Sequence, residues 1–358
     1  MAPKKINLTF VTANLFAGGA ERIISFLAKE MDRDKFNITM VVFGFKKDVS
    51  YDIEGINTIF FDEIRVLNGT LKLFKFLAKH KPDVVLSVIA HVNTVVGYQS
   101  ICFPNTKFIA REVNVLSVLE TFMTRQHPIL RFIYKQRFKF FDAVVCQSQD
   151  MLEDMNTHYK IRPDKLHVIN NPITNGFEVK TSATSSLILK CITVGRLAKE
   201  KGHDRLLEAL RKLSIPFHLT LIGSGPEMDN LFSLIKSLSL KDKITHIPFT
   251  NEVNRYLRQS DVYLQSSYVE GFPNAVIESC AVGTPVIAFK APGGLNEIIV
   301  EGVNGYIAED ENEFLEYISQ VYCNNTFVPQ LVSDSVYSKF GKEKILKEYE
   351  DLIIKTNG

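Results

Sequence analysis

The chain has 358 residues, 46% of them apolar and 23% charged, with a net charge of +2. This composition excludes a disordered chain, and the length suits two domains. No apolar run approaches the roughly 20 residues of a membrane-crossing helix, and the modest charge argues against nucleic acid as a partner.

The opening residues, "MAPKKINLTFVTANLF", place two lysines before a strand-like alternation, unlike a secretory signal peptide with its cleavage site. Cys102, Cys146, Cys191, Cys280 and Cys323 stand far apart without a CxxC spacing, which suits a reducing cytosol and offers no zinc site. Charge is uneven along the chain. Residues 1–172 carry 23 Lys and Arg against 17 Asp and Glu, and the remainder carries 19 against 23. The first half is therefore the one expected to meet an anionic surface.

In chain order, "INLTFVTANL" reads as a strand, and "GGAERIISFLAKEM" as an amphipathic helix opened by glycines. The runs "NITMVVFGF", "DVVLSVIA", "KFIAREV" and "DAVVCQS" follow as short apolar strands with helical stretches between them. Near-continuous Val and Ile runs bounded by turns suit buried parallel strands. Periodicity vanishes around residues 173–186, where Ser, Thr and Asn accumulate, and this segment is expected to link two domains. The plan then repeats over 187–335 with strands "LILKCITVGRL", "FHLTLIGSG", "KITHIPF", "DVYLQSS" and "TPVIAF" and helices between them. Residues 336–358 end in a charged amphipathic helix expected to cross back to the first domain. The expected fold is α/β, two doubly wound Rossmann-like domains facing a cleft, with ligands at the carboxyl ends of the strands.

Chemistry concentrates in the second half. In "YVEGFPNAVIESCAVGTPVIA", Glu270 and Glu278 stand in a run otherwise apolar, glycine or proline. A carboxylate is costly to desolvate, so each sits in water or has a partner. Glu270 is expected in a strand-to-helix loop and Glu278 one turn inside the helix, with Asn274 as its cap. A helix N-terminus offers free N–H groups to a phosphate, and a carboxylate accepts hydrogen bonds from vicinal sugar hydroxyls. Taken alone, two such glutamates are more often a solvated rim residue and a helix-surface residue. Just past another strand, "VGRLAKEKGHD" supplies Arg196 and Lys201, a planar fork and a point charge suited to a diphosphate, or else a solvated basic loop. Gly18 and Gly19 in "ANLFAGGAER", and Gly223 in "LIGSGPEMD", let backbone approach an anion closely, although G-x-G-x-x-G is absent.

Together these motifs resemble a retaining glycosyltransferase of family 4, with the two-domain GT-B fold. The match runs nearly end to end through "GGAER", "NNPI", "VGRL", "LIGSGPE", "SDVYLQSSYVEGFPNAVIESCAVGTPVIA" and "GGLNEIIVEGVNGYI". The resemblance implies that Arg196 and Lys201 neutralise the donor's diphosphate and that Glu278 holds the ribose. It implies that Glu270, with backbone around Gly271, Phe272, Pro273 and Asn274, holds the sugar and β-phosphate. Gly18, Gly19 and Gly223 would border the donor, and Pro248 and Phe249 would line the base pocket. His91 would bind the donor sugar, from a displaced position, or be a buried structural histidine. Arg111 and Glu112 stand on the acceptor side, where Arg111 meets a phosphate or pairs with Glu112. The implied reaction transfers a sugar with retention and needs no metal or other cofactor. UDP is the expected nucleotide, and a polyprenyl-diphosphate-linked or other glycan the expected acceptor.

Two basic, aromatic-rich stretches, 71–81 and 125–141, suit contact with an anionic membrane from the cytoplasmic side, or core packing with solvated lysines. In the first, Leu73, Phe74, Leu77 and Ala78 are expected to share the apolar face. Two rival functions remain at this stage: a sugar-nucleotide epimerase or hydrolase, and a non-catalytic sugar-nucleotide binder.

Overall fold

A computed structural model describes residues 4–122, 128–174, 176–181, 187–324 and 326–358, with side chains from 132 onward in the helix Pro128–Gln136. The chain divides into two compact units. One comprises Met1–Ser117, Met123–Thr174 and Lys342–Gly358, and the other Val118–Phe122 and Asn175–Gly341.

The first unit is built on seven strands: β1 (Ile6–Thr12), β2 (Phe36–Val42), β3 (Asn57–Phe60), β4 (Val84–Val88), β5 (Lys107–Arg111), β6 (Ala143–Cys146) and β7 (Leu166–Val168). Their order is β3-β2-β1-β4-β5-β6-β7, every neighbouring pair parallel. Strand order reverses between β1 and β4, so their carboxyl ends open a crevice at that point. Phe10, Met40, Leu86 and Ile109 are buried on one face and Val11, Val41, Val85 and Phe108 on the other, which explains why strands such as β4 and β6 read as near-continuous apolar runs.

The second unit repeats the plan with β8 (Leu189–Val194), β9 (Phe217–Ile222), β10 (Ile244–Ile247), β11 (Val262–Gln265), β12 (Val286–Phe289) and β13 (Gly305–Ala308). The order is β10-β9-β8-β11-β12-β13, again all parallel. Here the reversal lies between β8 and β11, where Val262 pairs with Cys191 and Tyr263 with Ile192. The loops that leave these two strands carry Arg196 and Lys201 on one side and Glu270 on the other.

Two expectations change. The terminal segment expected over 336–358 is instead parts of two helices, Pro329–Phe340 and Lys342–Asn357. Val332, Val336 and Phe340 recur at a four-residue spacing and are buried, so the first of these helices stays with the second unit and the change falls at Gly341, not at 336. The final helix places Ile345, Tyr349, Leu352 and Ile353 in the core of the first unit, and its Glu350 pairs with Lys35 at 2.7 Å. The helix Thr70–His80 also differs from expectation. Leu73, Phe76 and Leu77 face the core, while Phe74 and Ala78 are exposed. The apolar face read from sequence is thus mainly a packing face. Residues 125–127 of the second basic stretch lie outside the described residues; beyond them Arg137 and Phe138 are buried and Phe132 is exposed.

Candidate active site

The loop after β8 turns through Gly195–Ala198 into the short helix Lys199–Lys201. The loop after β11 runs through Ser266–Pro273 into the helix Asn274–Ala281. Pro273, in extended backbone, occupies the cap and Asn274 is the first helical residue, so the helix begins one residue earlier than expected. Proline at this boundary removes only an N–H the helix would leave unpaired.

These two loops meet at Glu270. Its Oε1 accepts three hydrogen bonds: from Lys201 Nζ at 2.7 Å, Ser267 Oγ at 2.6 Å and Gln265 Nε2 at 3.0 Å. Its backbone N–H donates to the Pro292 carbonyl at 3.0 Å. Glu270 is 7% exposed. Crowding three donors onto one oxygen fixes the carboxylate plane and leaves Oε2 for a further donor. Gln265 is itself held, since Tyr263 anchors beside it through an O–H donated to the Val194 carbonyl at 3.0 Å. Glu278 is buried within its helix, as are Gly271, Phe272 and Pro273 ahead of it. Arg196 is exposed, and its guanidinium has no hydrogen bond or ion pair among the described residues.

The glycine at 223 has a reason in packing. Its φ of +145° lies outside the range L side chains favour, and an added Cβ would stand 1.9 Å from the Gly195 carbonyl oxygen. Gly223 therefore lets the β9 loop lie directly against the loop that carries Arg196. Pro248 and Phe249 follow β10 at the same strand-end edge, both exposed, Phe249 at 64%.

In the first unit, the glycines and the histidine occupy the carboxyl ends of β1 and β4. Gly18 caps the helix Gly19–Glu30, and the space its side chain would fill holds the Glu21 carboxylate, 2.3 Å from the ideal Cβ position. Burial raises the Glu21 pKa, partly offset by a hydrogen bond from backbone N–H and by the Arg111 charge. The chain's own carboxylate thus covers this helix N-terminus, while Gly19 is exposed. His91 is the second residue of the helix Ala90–Ser100 and is exposed, so the alternative of a buried histidine does not hold. Partial desolvation lowers its pKa from the ordinary value, which keeps the imidazole neutral at pH 7. Ile89, before it, has a φ of +75°. For a β-branched residue this is strained backbone, costing about 1–3 kcal/mol, and it stands at the strand end where the helix begins.

Arg111 and Glu112 differ from expectation. They do not pair, and both are fully buried. Successive residues leaving a strand point to opposite sides. Arg111 turns to one side, where Nε donates to the Tyr349 hydroxyl at 2.9 Å and Nη2 to Asn171 Oδ1 at 2.6 Å. Glu112 turns to the other, accepting from Asn93 Nδ2 at 2.7 Å, 3.5 Å from Arg137. Burial raises the Glu112 pKa against the opposing pull of Arg137. In this structure Arg111 ties the final helix to the sheet instead of facing an acceptor.

Sequence reading missed Gln265, Ser267 and His203. The first two left one signal, a polar end to an otherwise apolar strand in "DVYLQSS". His203 is 5% exposed, its Nδ1 buried without a hydrogen-bond partner. Burial, reinforced by Lys201, lowers its pKa to about 4. The native state then stays neutral while the unfolded chain takes a proton near pH 6.5. Below that pH the unfolded state binds more protons, so stability falls as pH drops from about 6.5 to 4, by up to about 3 kcal/mol. In paired melting curves, His203→Leu is expected to lose less stability than the parent across that window. Parallel loss in both would contradict the assignment.

No group of three or more His, Cys, Asp or Glu among the described residues is placed to hold a metal ion, and none of their helices is long and apolar enough to cross a membrane.

Two doubly wound parallel-sheet units, one with cations and a held carboxylate at a strand-end crevice, define an α/β class whose ligands bind outside the carboxyl ends of the strands. Comparison with known proteins narrows it. The family model Glycosyltransferase Family 4 matches residues 17–175, and Glycosyl transferases group 1 matches residues 188–332. The protein belongs to glycosyltransferase family 4 and has the GT-B fold. A relative from Campylobacter jejuni, N-acetylgalactosamine-N,N'-diacetylbacillosaminyl-diphospho-undecaprenol 4-alpha-N-acetylgalactosaminyltransferase, is 26% identical over 84% of this chain and 85% of its own. The lipopolysaccharide core biosynthesis glycosyltransferase LpsE of Rhizobium meliloti is 25% identical over 94% of this chain and 96% of its own. Among solved structures, Anabaena Alr3699/HepE in complex with UDP and glucose superposes with a TM-score of 0.79 at 19% identity, covering 98% of this chain and 100% of that one.

Proposed function

We propose that the protein transfers a hexose or N-acetylhexosamine, with retention, from a UDP-sugar to a lipid-linked glycan in surface polysaccharide or glycolipid assembly. The observation that carries this reading is Glu270, held on one oxygen by Lys201, Ser267 and Gln265 and keeping the other for a ligand. The names of the Campylobacter and Rhizobium relatives support the lipid-linked acceptor, and the Anabaena complexes support UDP.

In this reading Arg196 and Lys201 take the diphosphate charge, the N-terminus of the helix Asn274–Ala281 adds its dipole, and Glu278 holds the ribose. Glu270 holds the sugar hydroxyls with N–H groups of Gly271, Phe272 and Asn274; Pro273 contributes none. The bond from the anomeric carbon to the β-phosphate oxygen breaks as the acceptor oxygen bonds to the same face. The acceptor's proton passes to the departing phosphate. The charge is carried by side chains and backbone, so EDTA is expected to leave turnover unchanged.

A lipid-linked acceptor calls for a protein lying on the cytoplasmic membrane face. The exposed residues Ile64, Leu67, Leu71 and Phe74, with Arg65, Lys75 and Lys79 among them, form the apolar and basic surface assigned to it. Flotation with anionic but not neutral vesicles supports this contact; flotation with neither removes it.

The function is tested by incubating the protein with UDP-hexoses and UDP-N-acetylhexosamines and a polyprenyl-diphosphate-linked glycan, then reading the new anomeric linkage by NMR. An α-linked product from an α-donor is expected. An inverted product defeats retention. UDP release without a glycan product favours a hydrolase, and binding without turnover a non-catalytic binder.

A further inference from the structure

Arg205 is not part of the donor site described above, yet it grips the loop that carries Glu270. It is the third residue of the helix His203–Lys212. Its Nε donates to the Ser266 carbonyl at 2.6 Å, and its Nη2 donates to the Ser267 carbonyl. The guanidinium carbon lies 4.2 Å from the centre of the Tyr268 ring and 4.5 Å from that of Phe289. Phe289 is in turn stacked on Phe314 at 4.0 Å, so one wall of this slot is rigid.

Three further contacts join the same two segments. Ser266 Oγ donates to the Lys201 carbonyl at 3.0 Å, and the Tyr268 N–H donates to the Glu200 carbonyl at 2.8 Å. Gly202, with a φ of +59°, brings its backbone so near that an added Cβ would stand 2.1 Å from the Ser266 oxygen. The carbonyls held by Arg205 belong to residues 266 and 267, and Ser267 Oγ is itself a donor to Glu270 Oε1 at 2.6 Å.

We infer that Arg205 is a positioning residue: its guanidinium clamps the Ser266 and Ser267 carbonyls and so sets where Ser267 and Glu270 stand relative to the donor sugar. The inference rests on the sugar-binding role proposed for Glu270. A planar fork presents two donors in fixed geometry to successive carbonyls while lying over the Tyr268 and Phe289 rings; an ammonium is a point charge with freely rotating donors and no plane to lay on either ring. A misplacement of about 1 Å at the reacting groups costs on the order of 100-fold in rate.

The test compares Arg205→Lys and Arg205→Leu with the parent in the full-length chain. Three quantities are read: UDP affinity by calorimetry, kcat with the UDP-sugar that the parent turns over, and amide exchange of Tyr268 and Glu270. Those two amides donate to the Glu200 and Pro292 carbonyls and report the loop without any need for catalysis. The expected result for Arg205→Lys is an unchanged UDP affinity, a kcat lower by about 100-fold and exchange faster by about 10-fold. Exchange like that of the parent overturns the clamp, whether or not kcat falls. If Arg205→Leu does not fold, the lysine variant decides alone. If the parent turns over no sugar nucleotide, the proposed function fails while exchange still judges the clamp. Faster exchange with full kcat overturns the positioning role.

Discussion

Glu270→Ala is expected to lower kcat by about 1,000-fold, the scale of losing a preorganised polar group at a transition state. Its effect on folding is expected to be small by comparison. The carboxylate meets Lys201, Ser267 and Gln265 on one oxygen, and Lys201 is 25% exposed in the pair. Water can therefore take over part of what the carboxylate gave, and the loss of stability is about 1–2 kcal/mol. Glu270→Gln separates the parts further. The amide oxygen still accepts from Ser267 and Gln265, while the charge facing Lys201 and the donor sugar is gone. Product formation measured beside calorimetric melting checks the pair. A variant whose activity falls only as far as its folded fraction would show that Glu270 serves the fold.

Arg196→Ala is the second large effect, and its pattern is the reverse of a core substitution. Arg196 is exposed and makes no side-chain hydrogen bond or ion pair among the described residues, so stability is expected to stay within about 0.5 kcal/mol. Affinity for UDP is expected to fall by roughly 10- to 100-fold, the worth of a charge-assisted contact to phosphate. Affinity for uridine, which has no phosphate, is expected not to change. Calorimetric titration with both ligands gives the comparison. Equal loss for uridine and UDP would remove Arg196 from the diphosphate. Lys201→Ala is less clean, because Lys201 also holds Glu270 at 2.7 Å.

Much of the architecture could be read from the chain because buried parallel strands leave a local mark. The apolar runs of β4, β6 and β12 are near-continuous, and the polar or glycine-containing turns after β6 and β12 are equally visible. β3 and β7 escaped notice because Asn57, Thr58 and His167 leave them no continuous apolar run. Glu270 was legible as a loop residue because a strand and a helix flank it closely. Its anchoring was not: Gln265, Ser267 and Lys201 come together only once β8 and β11 are neighbours, a pairing that sequence order hides. The same holds for Arg111, whose partner Tyr349 lies 238 residues away in the chain. The helix Thr70–His80 shows the opposite failure. Its amphipathicity was correctly seen, but periodicity alone does not say whether an apolar face meets a core or a membrane, and here Leu73 and Leu77 meet the core.

The measurement that bears most directly on the central claim is thermal melting of the purified chain with UDP, GDP, ADP and their common sugar conjugates. A ligand at 100 times its dissociation constant adds about 2.7 kcal/mol to the state that binds it, which moves a unit of this size by several degrees. The expected result is a rise with UDP and a larger one with a single UDP-sugar, both abolished at equal ligand concentration in the Arg196→Ala, Lys201→Ala double variant. No rise with any nucleotide would contradict a diphosphate site at Arg196 and Lys201, and with it the donor assignment.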